Sequence, residues 1–336
     1  MATIADVAKQ AGVGLGTVSR VLNGSPQVRA STRARVLDAI DTLGYVPNPL
    51  ARGLSRGRCQ TLGVLVPFFT HASAVERLRG VVAALDESRY DLVLFNVESP
   101  LHRDQHLASI TGRDRADGLL VMSLPIPPSD LDRLTSAGVP VVLVDARGKG
   151  VAAVVTDDVA GGRMATAHLL ALGHRSIAFI GDDPRSSLGF TSSAQREHGY
   201  AAAIADAGIP HRAELVRHAV HERGAAQQVA AELLDQPEPP TAVFASSDVQ
   251  AFGVLAAAAA RGLRVPQDLS VIGFDDIELA AFVGLTTVHQ ELFESGHLGA
   301  RLLLDAVSGA LPAPVEHRLP LSIVERTTTG ALQGAA

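Results

Sequence analysis

From Thr61 onward the chain keeps to one alternation, which restricts its fold more than any other feature. Apolar runs of strand length, LGVLV, YDLVLFNV, ADGLLVMS and VPVVLVD, are separated by amphipathic stretches near residues 74–88, 102–114 and 129–137. The theme then repeats, with AAVVTDD, SIAFIGDD, ELVRHAV, TAVFASSD and LSVIGFDD alternating with helical stretches near 158–172, 193–208, 223–235 and 247–261. A strand that is apolar along its whole length must be covered on both faces, and intervening helices supply that cover, so the pattern predicts parallel sheets. Two such rounds predict an α/β body of two doubly wound halves. Ligands in such sheets sit beyond the carboxyl ends of the strands, here in the cleft between the halves.

The first 45 residues have a different period. Ile4, Val7 and Ala8 repeat at helical spacing behind Thr3, whose hydroxyl can accept an orphan backbone N–H, so a short helix runs to about Gln10. Ala11 and Gly12 make a tight turn with Val13 as an apolar plug, and a second helix follows from about Leu15 to Leu22. Val18, Val21 and Leu22 form its apolar face, which turns Leu15, Gly16, Thr17, Ser19 and Arg20 outward. Such a set suits DNA: arginine grips guanine through two parallel hydrogen bonds, and hydroxyls hold phosphates. Residues 31–44 predict a third helix capped by Ser31 or Thr32, with Val36, Leu37, Ile40 and Leu43 as its buried stripe and Gly44 as its end.

Three ordered blocks, TIADVAKQAGV, TVSRVLNG and LDAIDTLGYVPNPLARGL, resemble the lactose-repressor (LacI/GalR) family of bacterial transcription regulators, and the likeness continues through most of the chain. The resemblance implies a helix-turn-helix headpiece over 1–46, a hinge helix and linker over 47–60, and a periplasmic-binding-protein-like body over 61–329. Its near half would be 61–158 and 290–318, its far half 159–289 and 319–329, with a short tail at 330–336. The family's reading helix implies base contacts for Leu15, Gly16 and Arg20 and phosphate contacts for Thr17, Ser19 and Asn23, with Thr3 in the same DNA-facing set. In the hinge, Asn48 can cap a short helix with Pro49 at its first position. Leu54 matches the leucine that the family inserts into the minor groove, beside Ala51 and Arg52. Gly14 departs from the serine common in relatives, which removes a cap, and Leu15 and Gly16 offer DNA only apolar contact and close backbone approach.

Charge agrees with this division. The whole chain carries a formal charge of −6. Residues 1–58 hold eight Lys or Arg against three Asp, a local +5, which leaves −11 for the rest. The longest apolar stretch, VFASSDVQAFGVLAAAAA, is broken by polar residues, so no membrane span is expected. No apolar run precedes the first helix, so a cytoplasmic, nucleoid-associated protein is expected. A single cysteine, Cys59, excludes an internal disulfide. The tail TTTGALQGAA has no apolar heptad, so the expected assembly is a homodimer without a tetramerising coiled coil.

In the body, Arg196 is expected to open a helix after GFTSSAQ, and Asp275 to end the strand VIGFD. Both match the family's effector positions and would form a donor and acceptor pair for a polyol. Asp158, Phe190, Ser192 and Asp248 are further effector candidates. Ser73, with Ala74, stands where relatives often carry aromatics, which suggests a roomier pocket suited to a disaccharide. His102 and His106 are four residues apart but lack a third ligand; Asp182-Asp183 and Asp275-Asp276 lack a nucleophile; GDDPRSSLGF lacks a phosphate-loop ending. No catalytic residue, metal or cofactor is therefore expected. The reading is a repressor whose dimer binds a pseudo-palindromic operator under control of a mono- or disaccharide. The alternatives are control by a purine, nucleoside or protein co-regulator and, further off, a DNA-binding sugar-processing enzyme.

Overall fold

The computed structural model describes residues 2–22, 24–45, 59–86, 88–110 and 115–332. It divides into two compact units, the first essentially Met1–Gln60 and the second running from Thr61 onward.

The first unit contains three helices, α1 (Ile4–Ala11), α2 (Leu15–Leu22) and α3 (Ala30–Leu43). Thr3 closes a reciprocal cap: its hydroxyl accepts the Asp6 N–H at 3.3 Å, and the Asp6 carboxylate accepts the Thr3 N–H at 2.8 Å. Those bonds hold the Asp6 carboxyl below its ordinary range. Gly12 ends α1 at φ 62°, a left-handed conformation available to glycine without strain. Val7, Ala8, Ala11, Val18, Val21, Val36 and Ala39 form the core. Two expectations for α3 are corrected. Ser31 and Thr32 lie inside its first turn, and Arg29 precedes it without a side-chain cap. Leu37 is 48 % exposed, because the buried face runs through Val36 and Ala39 and a helix turns about 100° between Val36 and Leu37.

The second unit holds two six-stranded sheets. The near sheet comprises β1 (Thr61–Pro67), β2 (Asp91–Val97), β3 (Gly118–Met122), β4 (Val141–Val144), β5 (Ala152–Val155) and β11 (Glu316–Arg318), in the order β11-β5-β4-β3-β1-β2. The far sheet comprises β6 (Ile177–Asp182), β7 (Val216–Ala219), β8 (Ala242–Ala245), β9 (Ser270–Asp275), β10 (Thr286–Gln290) and β12 (Leu321–Val324), in the order β12-β10-β9-β8-β6-β7. All neighbouring pairs are parallel except β10 with β12. The chain passes between the sheets three times, after Val155, after Gln290 and after Arg318. Strand β2, apolar in sequence, leaves Val93 and Leu94 exposed, because it is an edge strand.

Helices cover the sheets: α4 (Ala72–Leu85), α5 (Pro100–Ile110), α6 (Pro128–Ser136) and α12 (Leu292–Ser308) on the near half, and α7 (Asp158–Ala171), α8 (Ser192–Asp206), α9 (Arg223–Leu234), α10 (Asp248–Ala260) and the short α11 (Glu278–Phe282) on the far half. In both halves helix pairs are drawn together by glycines. A Cβ at Gly296 of α12 would stand 1.9 Å from the Arg77 carbonyl oxygen of α4, and a Cβ at Gly80 would stand 2.0 Å from the Phe293 carbonyl oxygen. In the far half, a Cβ at Gly162 would meet the Arg196 carbonyl oxygen at 2.1 Å, and one at Gly199 the Val159 carbonyl oxygen at 2.1 Å. The backbones therefore touch at Arg77 and Arg196, two residues whose side chains face the cleft.

Gly162→Ala must force α7 and α8 apart. It should cost on the order of 1–3 kcal/mol of stability, seen as a lower midpoint in urea unfolding; an unchanged midpoint would show that the helices are not in backbone contact.

Candidate functional sites: a reading helix and a body cleft

Helix α2 presents one polar and open face. Leu15 is 53 % exposed, Gly16 and Arg20 are exposed, and Thr17 and Ser19 are half-buried at the edge of that face. The carbonyl of Gly14 accepts the N–H groups of Thr17 and Val18, so Gly14 occupies the capping position without a side chain to cap with. The Thr3 hydroxyl is occupied by Asp6. Asn23, Ala51, Arg52 and Leu54 lie outside the described residues.

The body holds a cleft of about 590 Å³, lined from both halves by the ends of strands and the starts of helices. Arg196 lies in the second turn of α8, one turn inside the helix that it was expected to open. Its guanidinium is buried 3.6 Å above the centre of the Phe274 ring. It donates from Nε to Asp158 Oδ1 at 2.8 Å and from Nη1 to the Ser246 carbonyl at 2.6 Å, and stands 3.7 Å from Asp275 Oδ1. Asp275 in turn accepts from Gln290 Nε2 at 2.6 Å. Burial pushes the Asp158 carboxyl up to about 6 against the pull of Arg196, and burial moves Asp275 in the same direction. One guanidinium shared by two buried carboxylates explains why neither is as acidic as an exposed pair.

A second cation completes this wall from the near half. Arg77 of α4 is buried, lies 3.2 Å from Asp145 at the end of β4, and donates to Gln290 Oε1 at 3.3 Å. Gln290 thus joins Arg77 and Asp145 to Asp275 and Arg196. Ser73, Phe190 and Ser192 line the same cleft. Phe68, Ser123, Asp145 and Asp275, all at strand ends in the lining, have positive φ (43°, 49°, 56° and 121°), backbone strain of the kind that gathers at functional sites.

Residues 3–48 match the family described as bacterial regulatory proteins, lacI family, and residues 166–329 match the periplasmic binding protein-like domain. The chain is 33 % identical over 305 residues to catabolite control protein A of Priestia megaterium, covering 90 % of this chain and 91 % of that one. It is also 33 % identical over 332 residues to the HTH-type transcriptional repressor PurR of Yersinia pestis (strain Pestoides F), covering 97 % and 96 %. The chain belongs to the LacI family.

Solved structures of the family cover most of the chain. The transcriptional regulator CelR–cellobiose complex superposes with a TM-score of 0.72 at 33 % identity, covering 98 % of this chain and all of that one. The lac repressor dimer bound to operator and the anti-inducer ONPF superposes with a TM-score of 0.83 at 27 % identity, covering 98 % and 99 %. A LacI family regulator from Enterococcus faecium with bound ribose gives 0.73 at 30 % identity over 81 % of this chain and all of that one. This LacI family member is a DNA-binding transcriptional regulator with a ligand-responsive body, and its relatives are regulators, not enzymes.

Against that family frame, two effector candidates do not line the cleft. Asp248 is fully buried, with Oδ2 accepting the Ile277 N–H at 2.9 Å and Oδ1 the Thr287 hydroxyl at 2.5 Å, so its carboxylate fastens α10 to β10 and is spent. Asp158 stands behind Arg196 and holds it in place. His106 is also engaged elsewhere, its Nε2 lying 3.2 Å from the Asn96 carbonyl, and among the described residues no group of three or more His, Cys, Asp or Glu forms a metal site. Missed from the sequence were Arg77, Asp145, Gln290, His71 and His221. Asp145 ends the run VPVVLVD as Asp275 ends VIGFD, and that signal could have found it. Arg77, inside VERLRG, reads as an ordinary solvated helix charge.

Arg196→Met should leave Asp158 and Asp275 buried without their cation, at a cost of about 3–5 kcal/mol near pH 7. Carboxyls whose folded pKa is raised destabilise the fold once pH rises past their unfolded value, 3.8. Losing the cation raises both carboxyls further, so the deficit should shrink as pH falls from about 8 toward about 6, where the carboxyls take up protons. An equal deficit at about pH 8 and about pH 5.5 in urea unfolding would refute the buried cluster.

Proposed function

We propose that the protein is a sugar-controlled repressor. Its homodimer binds a pseudo-palindromic operator through two α2 helices, and a mono- or disaccharide in the body cleft governs that binding. The observation that carries the effector assignment is the wall made by Arg196, Asp275, Gln290, Arg77 and Asp145: fixed donors alternate with fixed acceptors, the arrangement that vicinal hydroxyls can bridge. Ser73 and Ala74 leave the adjoining roof small, and a volume of about 590 Å³ has room for two sugar rings. The relatives crystallised with cellobiose and with ribose support the same ligand class.

Control follows from where Gln290 lies. It bonds to Asp275 on one side and Arg77 on the other, immediately before the chain leaves β10 for α12. A ligand that competes for Asp275 or Arg77 favours one disposition of the two halves over another, and a difference in affinity between dispositions is all that allosteric control requires. In this reading Leu15, Gly16 and Arg20 meet bases, Thr17, Ser19 and Asn23 meet phosphates, and Ala51, Arg52 and Leu54 of the hinge enter the minor groove. The homodimer is supported by exposed apolar side chains on the body: Phe282, 87 % exposed, with Leu279 on α11, and Val75 and Val82 on α4 beside Phe293.

One observation favours a second ligand class: the rings of Phe68, His71 and His221 stack in series at the cleft and offer a flat face to a nucleobase. Thermal unfolding against mono- and disaccharides, nucleosides and nucleobases separates the two. A sugar at about 100 times its dissociation constant should stabilise the protein by roughly 2.7 kcal/mol. Shifts with nucleobases alone would replace the sugar, and silence across the panel would defeat both. On DNA, Arg20→Ala should weaken operator binding by about 1–3 kcal/mol with relaxed preference at one base pair of each half-site, read by fluorescence anisotropy. Unchanged affinity and preference would remove Arg20 from the reading face.

A further inference from the structure

In the lining of the same cleft, two histidines face each other from opposite halves of the body. His71 precedes α4 of the near half; His221 lies between β7 and α9 of the far half. Their rings are nearly parallel, with centroids 5.4 Å apart and planes 19° from one another. Phe68 stacks on the other face of His71 at 5.1 Å and 14°. His221 is anchored from behind, its Nδ1 standing 2.9 Å from Asp182 Oδ1, and Asp182 also accepts from Gln250 Nε2 at 3.0 Å. The near half thus contributes a ring backed by a phenyl group, the far half a ring backed by a carboxylate, and the two meet across the opening.

We propose that His71 and His221 form a proton-controlled clasp that holds the two halves of the body together near neutral pH and releases them in acid. The proposal goes beyond the effector assignment and does not depend on it, since the clasp is built from the protein's own side chains.

The groups facing the pair favour one proton on two rings. Around His221, burial disfavours the charged ring, but the hydrogen bond and charge of Asp182, assisted by Asp275 and opposed by Arg196, outweigh it, so its pKa is raised above the ordinary 6.5. The ring keeps 30 % of its surface exposed, so its desolvation is partial. Around His71, burial and then the neighbouring His221 lower the pKa, with Asp182 and Glu222 acting the other way. An imidazolium lying on a neutral imidazole is attractive, whereas two stacked imidazolium rings repel. Because the His71 pKa is lowered in the closed form, closure weakens as pH falls below 6.5. The groups that raise His221, Asp182 and Asp275, belong to its own half and stay with it when the halves part, so His221 holds its proton in either state and the pH dependence of closure rests on His71. Closure should therefore hold at neutrality and weaken as pH falls below 6.5, an acid limb that belongs to His71.

The test needs no effector. Spin labels are placed on exposed Ser129 of α6 and Gln228 of α9 by Ser129→Cys and Gln228→Cys in a Cys59→Ser background, and the full-length protein is diluted with unlabelled chains. The distance distribution between the halves is then followed by pulsed electron resonance from about pH 5 to about pH 8.5. The expected result is a short-distance population that is full at about pH 7 and above and reduced at least several-fold at the acid end. His71→Phe keeps a ring in the stack but cannot take a proton, so it should retain the short distance in acid. His71→Ala should lose most of that population at every pH. A wild-type distribution that does not change with pH, a His71→Phe variant that opens in acid like wild type, or a His71→Ala variant that stays closed would each overturn the clasp.

Discussion

The buried guanidinium of Arg196 is the point on which the body depends. It touches three separate elements at once: Asp158 at the start of α7, the Ser246 carbonyl beyond β8, and Asp275 at the end of β9, with the Phe274 ring beneath it. A cation removed from water needs its full set of partners, because a buried charge left with one partner missing costs more than the pair gains. Each contact therefore constrains the others. The backbone at the same residue is clamped as well, by the close approach of Gly162. Packing and electrostatics meet at one position, so the far wall of the cleft is held in place without a ligand.

The near half repeats the device in weaker form. Arg77, likewise clamped through its backbone by a glycine of the neighbouring helix, faces Asp145 at a strand end, as Arg196 faces Asp275. Its guanidinium Nε has no hydrogen-bond partner. The Arg77 contacts, at 3.2 and 3.3 Å, are longer than the 2.6 and 2.8 Å bonds of Arg196, so the near wall has donor capacity left to offer. Gln290 links the two walls and sits one residue before a crossover between the sheets. Ligand chemistry and the relative motion of the halves thus pass through one amide.

Much of this was legible in the letters because it depends on neighbours a few residues away. Thr3 and Gly12 bound α1 as the capping pattern requires, and the apolar runs became strands with helices between them. Arg196 and Asp275 line the cleft where local transitions in the letters pointed, into a helix and out of a strand, although Arg196 sits one turn further in. Local pattern also misled. Ser31 and Thr32 looked like caps, yet α3 begins before them at Ala30; Leu37 looked apolar enough to bury, yet the helix turns it outward. Asp248 opens a helix after a strand much as Asp158 does, and nothing nearby in the chain reveals that Thr287 and the Ile277 N–H consume both its oxygens.

The sequence by itself determined the classes of element, their order and the helix-turn-helix, since caps, periodicity and strand-length apolar runs act over a turn or a few residues. Tertiary structure decided which polar side chains face the cleft and which are consumed in holding it. The reason lies in distance along the chain. Arg77 and Gln290 are 213 residues apart and share a hydrogen bond, and His71 reaches His221 only after two sheets have formed and come to face each other. Whether a carboxylate is a ligand contact or a structural fastener depends on how many donors those remote segments bring to it, and that number exists only in the folded protein.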